Sequence, residues 1–299
     1  MKLFCIGLMA GLTLLACSPK LNNSNTGGNI QYKDNRGNSN LLGICDRGSL
    51  LKSPYKEWFT KTYDSYQIDS NTADKLKPLL KQQHFDIYLG TWCGDSRREV
   101  PRMLKILDYC DISPSNIRLI MVDNRDSMYK QSPTHEERGK NIHRVPDLII
   151  YSNKNEINRI VESPVVSLEK DMLQIMEHKN YVPQYALANE IFKLLNNNTV
   201  NSLMSDKNNI AIRLKNQSKN SAELNSLGYV WMAAGEMNEA LFAFELNALL
   251  YPNDPNVYDS LGEINLKMNK TSEARKYYQQ VLALQPSNEN AIKMLEKLK

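Results

Sequence analysis

Cys93 stands in the run Trp92-Cys93-Gly94-Asp95-Ser96, which follows directly on the short β-prone stretch Phe85-Asp86-Ile87-Tyr88-Leu89 and the pair Gly90-Thr91. Beyond it Val100, Met103, Leu104 and Leu107 recur at i, i+3, i+4, i+7, the spacing of an amphipathic helix. The thiol is therefore expected where a strand hands over to a helix. It there faces unpaired backbone N–H groups and the positive end of the helix dipole, and both favour thiolate over thiol. Arg97 and Arg98 act in the same direction and Asp95 against it. Such a thiolate can attack a disulfide or hold a mixed disulfide. The alternative role for a cysteine is that of a small buried hydrophobe. Three residues on, Ser96 offers a hydroxyl that can hydrogen-bond a thiolate but cannot usefully attack a disulfide.

The chain has 299 residues and five cysteines, too few for a disulfide framework, so each is read by position. Cys110 ends the helix that Cys93 begins, roughly 25 Å away at about 1.5 Å per residue, and is expected to pack in the core. Cys45 lies upstream and is the candidate for a surrogate resolving thiol. Gly94-Asp95-Ser96 also opens the motif of one class of serine esterases, but none of the four histidines has the Asp three residues earlier that this class needs. His135-Glu136 begins a zinc-protease pattern, yet Gly139 stands where the second His must be. The chain carries no phosphate loop or dinucleotide fingerprint. No metal or cofactor is expected.

The elements that must position Cys93 follow an order that resembles the thioredoxin superfamily. Trp92-Cys93 sits at the strand-to-helix junction, and Pro101 stands where that family carries a kinking proline. Ile117 to Val122 reads as the next buried strand, and His135 to Asn141 as a short helix. Arg144-Val145-Pro146, the strand Leu148 to Tyr151, a turn at 152–155, a strand Ile157 to Val161 and a helix bearing Leu168, Met172, Ile175 and Met176 complete the pattern. The resemblance implies that Pro146 is the cis-proline beside the active cysteine, and that Val145 and Pro146 present backbone to an extended substrate. Trp-Cys-Gly-Asp-Ser-x-Arg-Glu-Val-Pro also resembles a group of bacterial envelope proteins in which a preceding helical extension, here Leu41 to Gln83, belongs to the same domain. Three departures stand out. Ser96 replaces the resolving cysteine, and Ile87 stands at the place of the buried acid, with Asp86 facing the other way. Asp147 follows the proline where the family has Thr.

At the N-terminus, Met1-Lys2 and an apolar run from Leu3 to Ala16 read as a secretory signal, too short to span a membrane. Leu14-Leu15-Ala16-Cys17 resembles the bacterial lipobox, which implies cleavage before Cys17 and its lipidation. Residues 17–40, with Asn at 22, 23, 25, 29, 35, 38 and 40, are expected to form an unpacked polar tether. The folded part is then expected in the cell envelope, anchored to the outer or inner membrane and facing the periplasm or the surface, where disulfides are tolerated. Composition fits a globular chain, with 41% apolar, 23% charged and 8% aromatic residues. Lys plus Arg, 37, against Asp plus Glu, 33, gives +4 with no basic stripe, so nucleic acid is not an expected partner.

The second half has a period. Gly228 and Gly262, Ala240 and Ala274, Phe244 and Tyr278, and Pro252 and Pro286 are each 34 apart, and this resembles the tetratricopeptide repeat. Asn265 replaces an aromatic, and Asn247 and Val281 a small residue. Ile292 and Leu295 mark a capping helix, and Tyr185 to Leu195 and Ile210 to Leu214 add helices in front. The expected architecture is an α/β thioredoxin-like domain with an N-terminal helical extension over 41–180, connecting helices over 181–220 and an all-α solenoid over 221–299. Two functions stay open: monothiol thiol-disulfide chemistry on envelope protein or peptide thiols, with a protein partner on the concave face of the repeats, or a redox-inactive peptide-binding scaffold.

Overall fold

The computed structural model describes residues 28–34 and 36–298. The lipobox residue Cys17 and the apolar run before it lie outside the described residues. Six strands form one mixed sheet: β1 (Ile30–Lys33), β2 (Ser39–Cys45), β3 (His84–Leu89), β4 (Ile117–Met121), β5 (Asp147–Ser152) and β6 (Asn155–Val161), in the order β1-β2-β4-β3-β5-β6. Only the β3–β4 pair is parallel, joined through helix α4 (Gly94–Tyr109). Helices α1 (Arg47–Leu50), α2 (Lys56–Ser65), α3 (Ser70–Leu80) and α5 (Leu168–Met176) complete the sheet half.

Alternation along the strands sends side chains to two cores. Phe85, Ile87 and Leu89 of β3 join Leu119 and Met121 of β4 and the apolar stripe Val100, Leu104 and Leu107 of α4. Tyr88, Ile120, Val122 and Ile149 point to the other face, with Val145, Trp92 and Cys93 packed on them. β3 is thus covered on both sides, and its apolar run suits a central strand. Asp86 lies on the face opposite Ile87, paired with Arg118 and Lys140.

Three local expectations are corrected. Residues 28–40 are not an unpacked tether throughout: Ile30 and Tyr32 alternate inward, and a turn closed by the Asp34 carboxylate and Gly37 at φ 79° folds β1 back on β2. The Tyr32 hydroxyl then donates to Asn124 Oδ1 at 2.8 Å. The N-terminal extension is correspondingly not purely helical, since it opens with β2, whose Cys45 pairs with Leu119 of the central sheet. His135 to Asn141 is a chain of turns rather than a helix, because His135, Gly139 and Asn141 all take positive φ, which no right-handed helix accommodates.

The helical half runs α6 (Ala186–Asn197), α7 (Val200–Leu214), α8 (Ala222–Ala234), α9 (Met237–Leu250), α10 (Pro255–Lys267), α11 (Thr271–Leu284) and α12 (Glu289–Lys297). The pairs α8–α9 and α10–α11 touch through one device. A Cβ at Gly228 would lie 2.4 Å from the Phe244 ring, and one at Gly262 2.6 Å from the Tyr278 ring. The substituted position 265 is also satisfied: Asn265 is buried and donates to the Leu261 carbonyl at 2.8 Å. In the capping helix α12 the buried residue is Ala291, with Met294, Leu295 and Leu298 beside it, whereas Ile292 is exposed.

The two halves are in contact. Tyr181 is buried in the sheet core and its hydroxyl donates to Asp171, so the segment near 180–184 is anchored rather than a free linker. Asn141 donates to Asn189 of α6 at 2.7 Å, and Arg144 to the Ala222 carbonyl at 3.0 Å.

Candidate functional site

Cys93 is the N-cap of α4, with φ −86° and ψ 127°, and its side chain accepts no capping hydrogen bond. Its half-buried sulfur instead lies 3.3 Å from the Val145 carbonyl, the contact of a thiol donor that a thiolate would lose. The Val145–Pro146 peptide bond is cis, and the sulfur contact with Val145 joins the entry to β5 to the N-terminus of α4. Trp92 seals the neighbouring side: its indole N–H donates to the Val122 carbonyl at 2.9 Å, and its ring lies where a Cβ at Gly90 would be, 2.4 Å away.

The other motif residues are engaged elsewhere. Ser96 is fully buried and its hydroxyl accepts from the Gly90 N–H at 3.2 Å, which ties the end of β3 to the first turn of α4. Asp95 pairs with Arg98 at 2.7 Å, and Arg98 also reaches Glu99. Arg97 donates to the Thr91 carbonyl at 2.7 Å. The two arginines expected to bias the thiol thus bond to other groups.

Neither remaining described thiol is brought to Cys93. Cys45 points from β2 into the core that holds Ile87 and Leu119, on the face opposite Tyr88 and Val122, and its sulfur donates to Leu42 O at 3.6 Å. Burial pushes it up to about 11, so it is a protonated thiol at neutral pH. The expected role of Cys45 as a surrogate resolving thiol is not met by this placement. Cys110 caps the far end of α4, fully buried against the Ala73 carbonyl, and burial likewise raises it to about 11.

His143 and Asp147, which flank the Val145–Pro146 pair in the chain, and Lys130 are buried polar groups, of which sequence reasoning found only Asp147. Asp147 is fully buried beside Arg159 at 3.0 Å, and loss of solvent raises it to about 7 against the pull of that guanidinium. His143 is fully buried, with Nδ1 3.1 Å from the Asn141 carbonyl and Nε2 without a partner; burial lowers it to about 3, so the ring is neutral. Lys130 is 4% exposed. Lys130 and His143 stand singly in loops and Asp147 opens β5, with no spacing that marks them.

Beside Trp92 opens a polar pocket of about 400 Å³, lined by Arg36, Asn40, Trp92, Arg97, Asn124 and Arg125. A second cleft, of about 460 Å³, lies between the loop at Asp126 and Tyr129 and the helix faces bearing Tyr229, Met232, Glu263 and Lys267. The face of α8 carrying Ser226 and the Ala222 carbonyl is therefore covered by the sheet half of the same chain, whereas Glu263 and Lys267 of α10 still border an open cleft. No group of three or more His, Cys, Asp or Glu able to hold a metal ion occurs among the described residues.

No curated protein matches the chain. Residues 255–288, which span α10, α11 and the turn after them, match the tetratricopeptide repeat family, and this supports a protein-interaction role for the helical half.

Proposed function

We propose that the sheet half is a thioredoxin-like domain that exchanges disulfides as a monothiol, and that the helical half recruits the protein partner. The carrying observation is the convergence at one half-buried sulfur of the α4 N-cap and the Val145 carbonyl at the entry to β5. The order β3, α4, β4, then β5, β6, α5 supports the fold assignment. An extended peptide would lie along the backbone at Val145 and Pro146 and offer its disulfide to Cys93, with Trp92 as the wall of the groove. Asp95 and Ser96 serve as scaffold of the helix start. A partner protein would be held at the open cleft bordered by Tyr229, Glu263 and Lys267. The lipobox reading of Cys17 would confine this activity to an envelope membrane.

With Ser96 unable to attack, a mixed disulfide on Cys93 should persist. Protein-sized adducts should therefore be captured from envelope extracts by the wild-type chain and lost in Cys93→Ser. Ser96→Cys should shed them and gain dithiol reductase activity. Absence of adducts in the wild type, with no reaction of Cys93 toward a small disulfide, would reject the exchange reading. One observation favours a second reading, a redox-inactive peptide-binding scaffold: the other described thiols, Cys45 and Cys110, are buried away from the site. Under that reading peptide binding survives Cys93→Ser unchanged.

A further inference from the structure

The backbone that meets the Cys93 sulfur has no ladder of its own. Between β4 and β5 the chain holds no α-helix or strand over residues 122–146, only the single 3-10 turn Asp126–Met128. Backbone in such a stretch keeps one position only where other groups fix it. Several of the fixing groups here come from the helical half. Ser226 of α8 donates its hydroxyl to the His143 carbonyl at 2.7 Å. The Lys130 amine donates to the Ser226 oxygen at 3.0 Å, which leaves the one Ser226 proton directed at that carbonyl.

Arg144 is held on three sides. Its guanidinium donates to the Ala222 carbonyl at the start of α8 at 3.0 Å and to Glu162 at 3.2 Å, and it lies over the Tyr185 ring, 4.8 Å from the centre. Tyr185 is the N-cap of α6 at φ 60°, a conformation uncommon for a bulky residue, and its hydroxyl donates to Glu162. The same ring meets the His143 ring edge-on at 6.1 Å. On the sheet side, the Glu162 N–H donates to the Pro146 carbonyl at 2.6 Å. The carbonyl one residue earlier, that of Val145, takes the contact from the Cys93 sulfur at 3.3 Å. Residues 143 and 144 are thus tied to α6 and α8, and the next residue to the thiol.

We propose that the helical half is a working part of the thiol site: Ser226, Tyr185 and the Ala222 carbonyl hold the backbone at 143–145 in register with Cys93, and Arg144 is the positioning residue through which they act on an extended peptide substrate. This rests on the thiol-exchange reading above. Arg144 acts on where the peptide lies and not on the sulfur itself, so it matters for a substrate that uses the Val145–Pro146 backbone. Its planar guanidinium serves a carbonyl, a carboxylate and a ring at once, which the point charge of a lysine does not.

The test compares two probes on the full chain: an extended peptide whose one cysteine carries an aromatic thiol in a mixed disulfide, and a blocked single cysteine carrying the same group. In each, the S–S bond to Cys93 forms as the bond to the aromatic sulfur breaks; the aromatic thiolate leaves as the chromophore and the Cys93 proton passes to solvent. The mass of the adduct identifies the sulfur attacked. The wild type should react faster with the peptide than with the single cysteine. Arg144→Met should slow the peptide about tenfold and leave the single cysteine unchanged, with Arg144→Lys between. Equal rates for the two probes in the wild type overturn the proposal, as does an unchanged peptide preference in Arg144→Met. Parallel loss of both rates marks a general defect and overturns it as well. A wild-type Cys93 inert toward both probes rejects the exchange reading and this one with it. Should Arg144→Met not fold, Ser226→Ala decides: the peptide preference should fall about threefold, and an unchanged preference overturns the proposal.

Discussion

Gly228 lies under the ring of Phe244 and Gly262 under the ring of Tyr278, one contact made twice at an interval of 34 residues. In the sheet half, by contrast, Asp86, His143, Asp171 and the pair Asp147–Arg159 are buried each in a setting of its own. The helical half solves a single packing problem repeatedly with small and aromatic side chains. The sheet half also buries charged groups, among them Asp86, Asp147, Arg159 and Asp171, and gives each a particular neighbour. The periodic half therefore tolerates lapses such as Asn265, which satisfies itself on the preceding turn. The aperiodic half depends on partners far away in sequence.

The sharpest way to break the equivalence of the repeats is to fill the contact. Gly262→Leu drives a side chain into the Tyr278 ring and should lower the stability of the full chain by about 3 kcal/mol in denaturant unfolding, the upper end of overpacking costs. Gly228→Leu should cost a similar amount through Phe244, and an unchanged midpoint for either would sink the claim that one device is used twice.

A smaller loss is expected where the sheet half matches a buried charge. The Asp171 carboxylate accepts from the Val165 and Val166 N–H groups at 2.6 and 3.0 Å and from the Tyr181 hydroxyl at 3.0 Å. Asp171→Ala leaves these donors unpaired and should cost about 2.5 kcal/mol. The same measurement on Asp171→Asn, which keeps one acceptor oxygen, should fall between wild type and Ala.

Acid sensitivity separates the halves next. Folded His143 stays neutral to about pH 3, while an unfolded histidine takes a proton near its ordinary value of 6.5. At this group the unfolded state therefore binds more protons between these limits, which contributes a loss of about 1.4 kcal/mol per unit as pH drops, or about 2 kcal/mol by pH 5, while the buried Asp147, raised to about 7, contributes with the opposite sign over the same window. His143→Gln should remove the first contribution alone and so shift the slope of unfolding free energy against pH by about 1.4 kcal/mol per unit relative to wild type. A slope identical to wild type would show that the ring is not held neutral.

The smallest effect should be shared. Ser167 caps α5 by accepting from the Lys170 N–H at 3.3 Å, and Asn288 caps α12 by accepting from the Ala291 N–H at 2.9 Å. Replacing either by Ala should cost about 1 kcal/mol. Thermal unfolding that changes for one and not the other would mark a difference between the halves at the local level, where none is expected.

The strand Phe85 to Leu89, the helix beginning after Cys93 and the four helices of the repeats were legible because each is specified by neighbours a few residues apart. The turns over 135–141 were misread because the apparent helix is broken by backbone at positive φ, a property of single residues that hydrophobic spacing does not report. β1 was missed because its four residues alternate between half-buried and exposed, too weak a pattern to stand without the β2 partner.

At the candidate site the sequence by itself determined the position of Cys93: a thiol after a buried strand and before an amphipathic stripe must sit at a helix start. It also determined that Ser96 cannot resolve a mixed disulfide, since that is a property of the residue type. Only the tertiary structure decided what faces the sulfur and what holds that neighbour in place. The Val145 carbonyl lies 52 residues away in the chain, and the Ser226 hydroxyl that holds the His143 carbonyl lies 83 residues from that histidine. Such contacts depend on how two sheet strands and a repeat helix are packed. Local sequence reports propensity and face, whereas burial and partner identity are set by the whole fold, and burial is what brings Lys130 to about 7 and His143 to about 3.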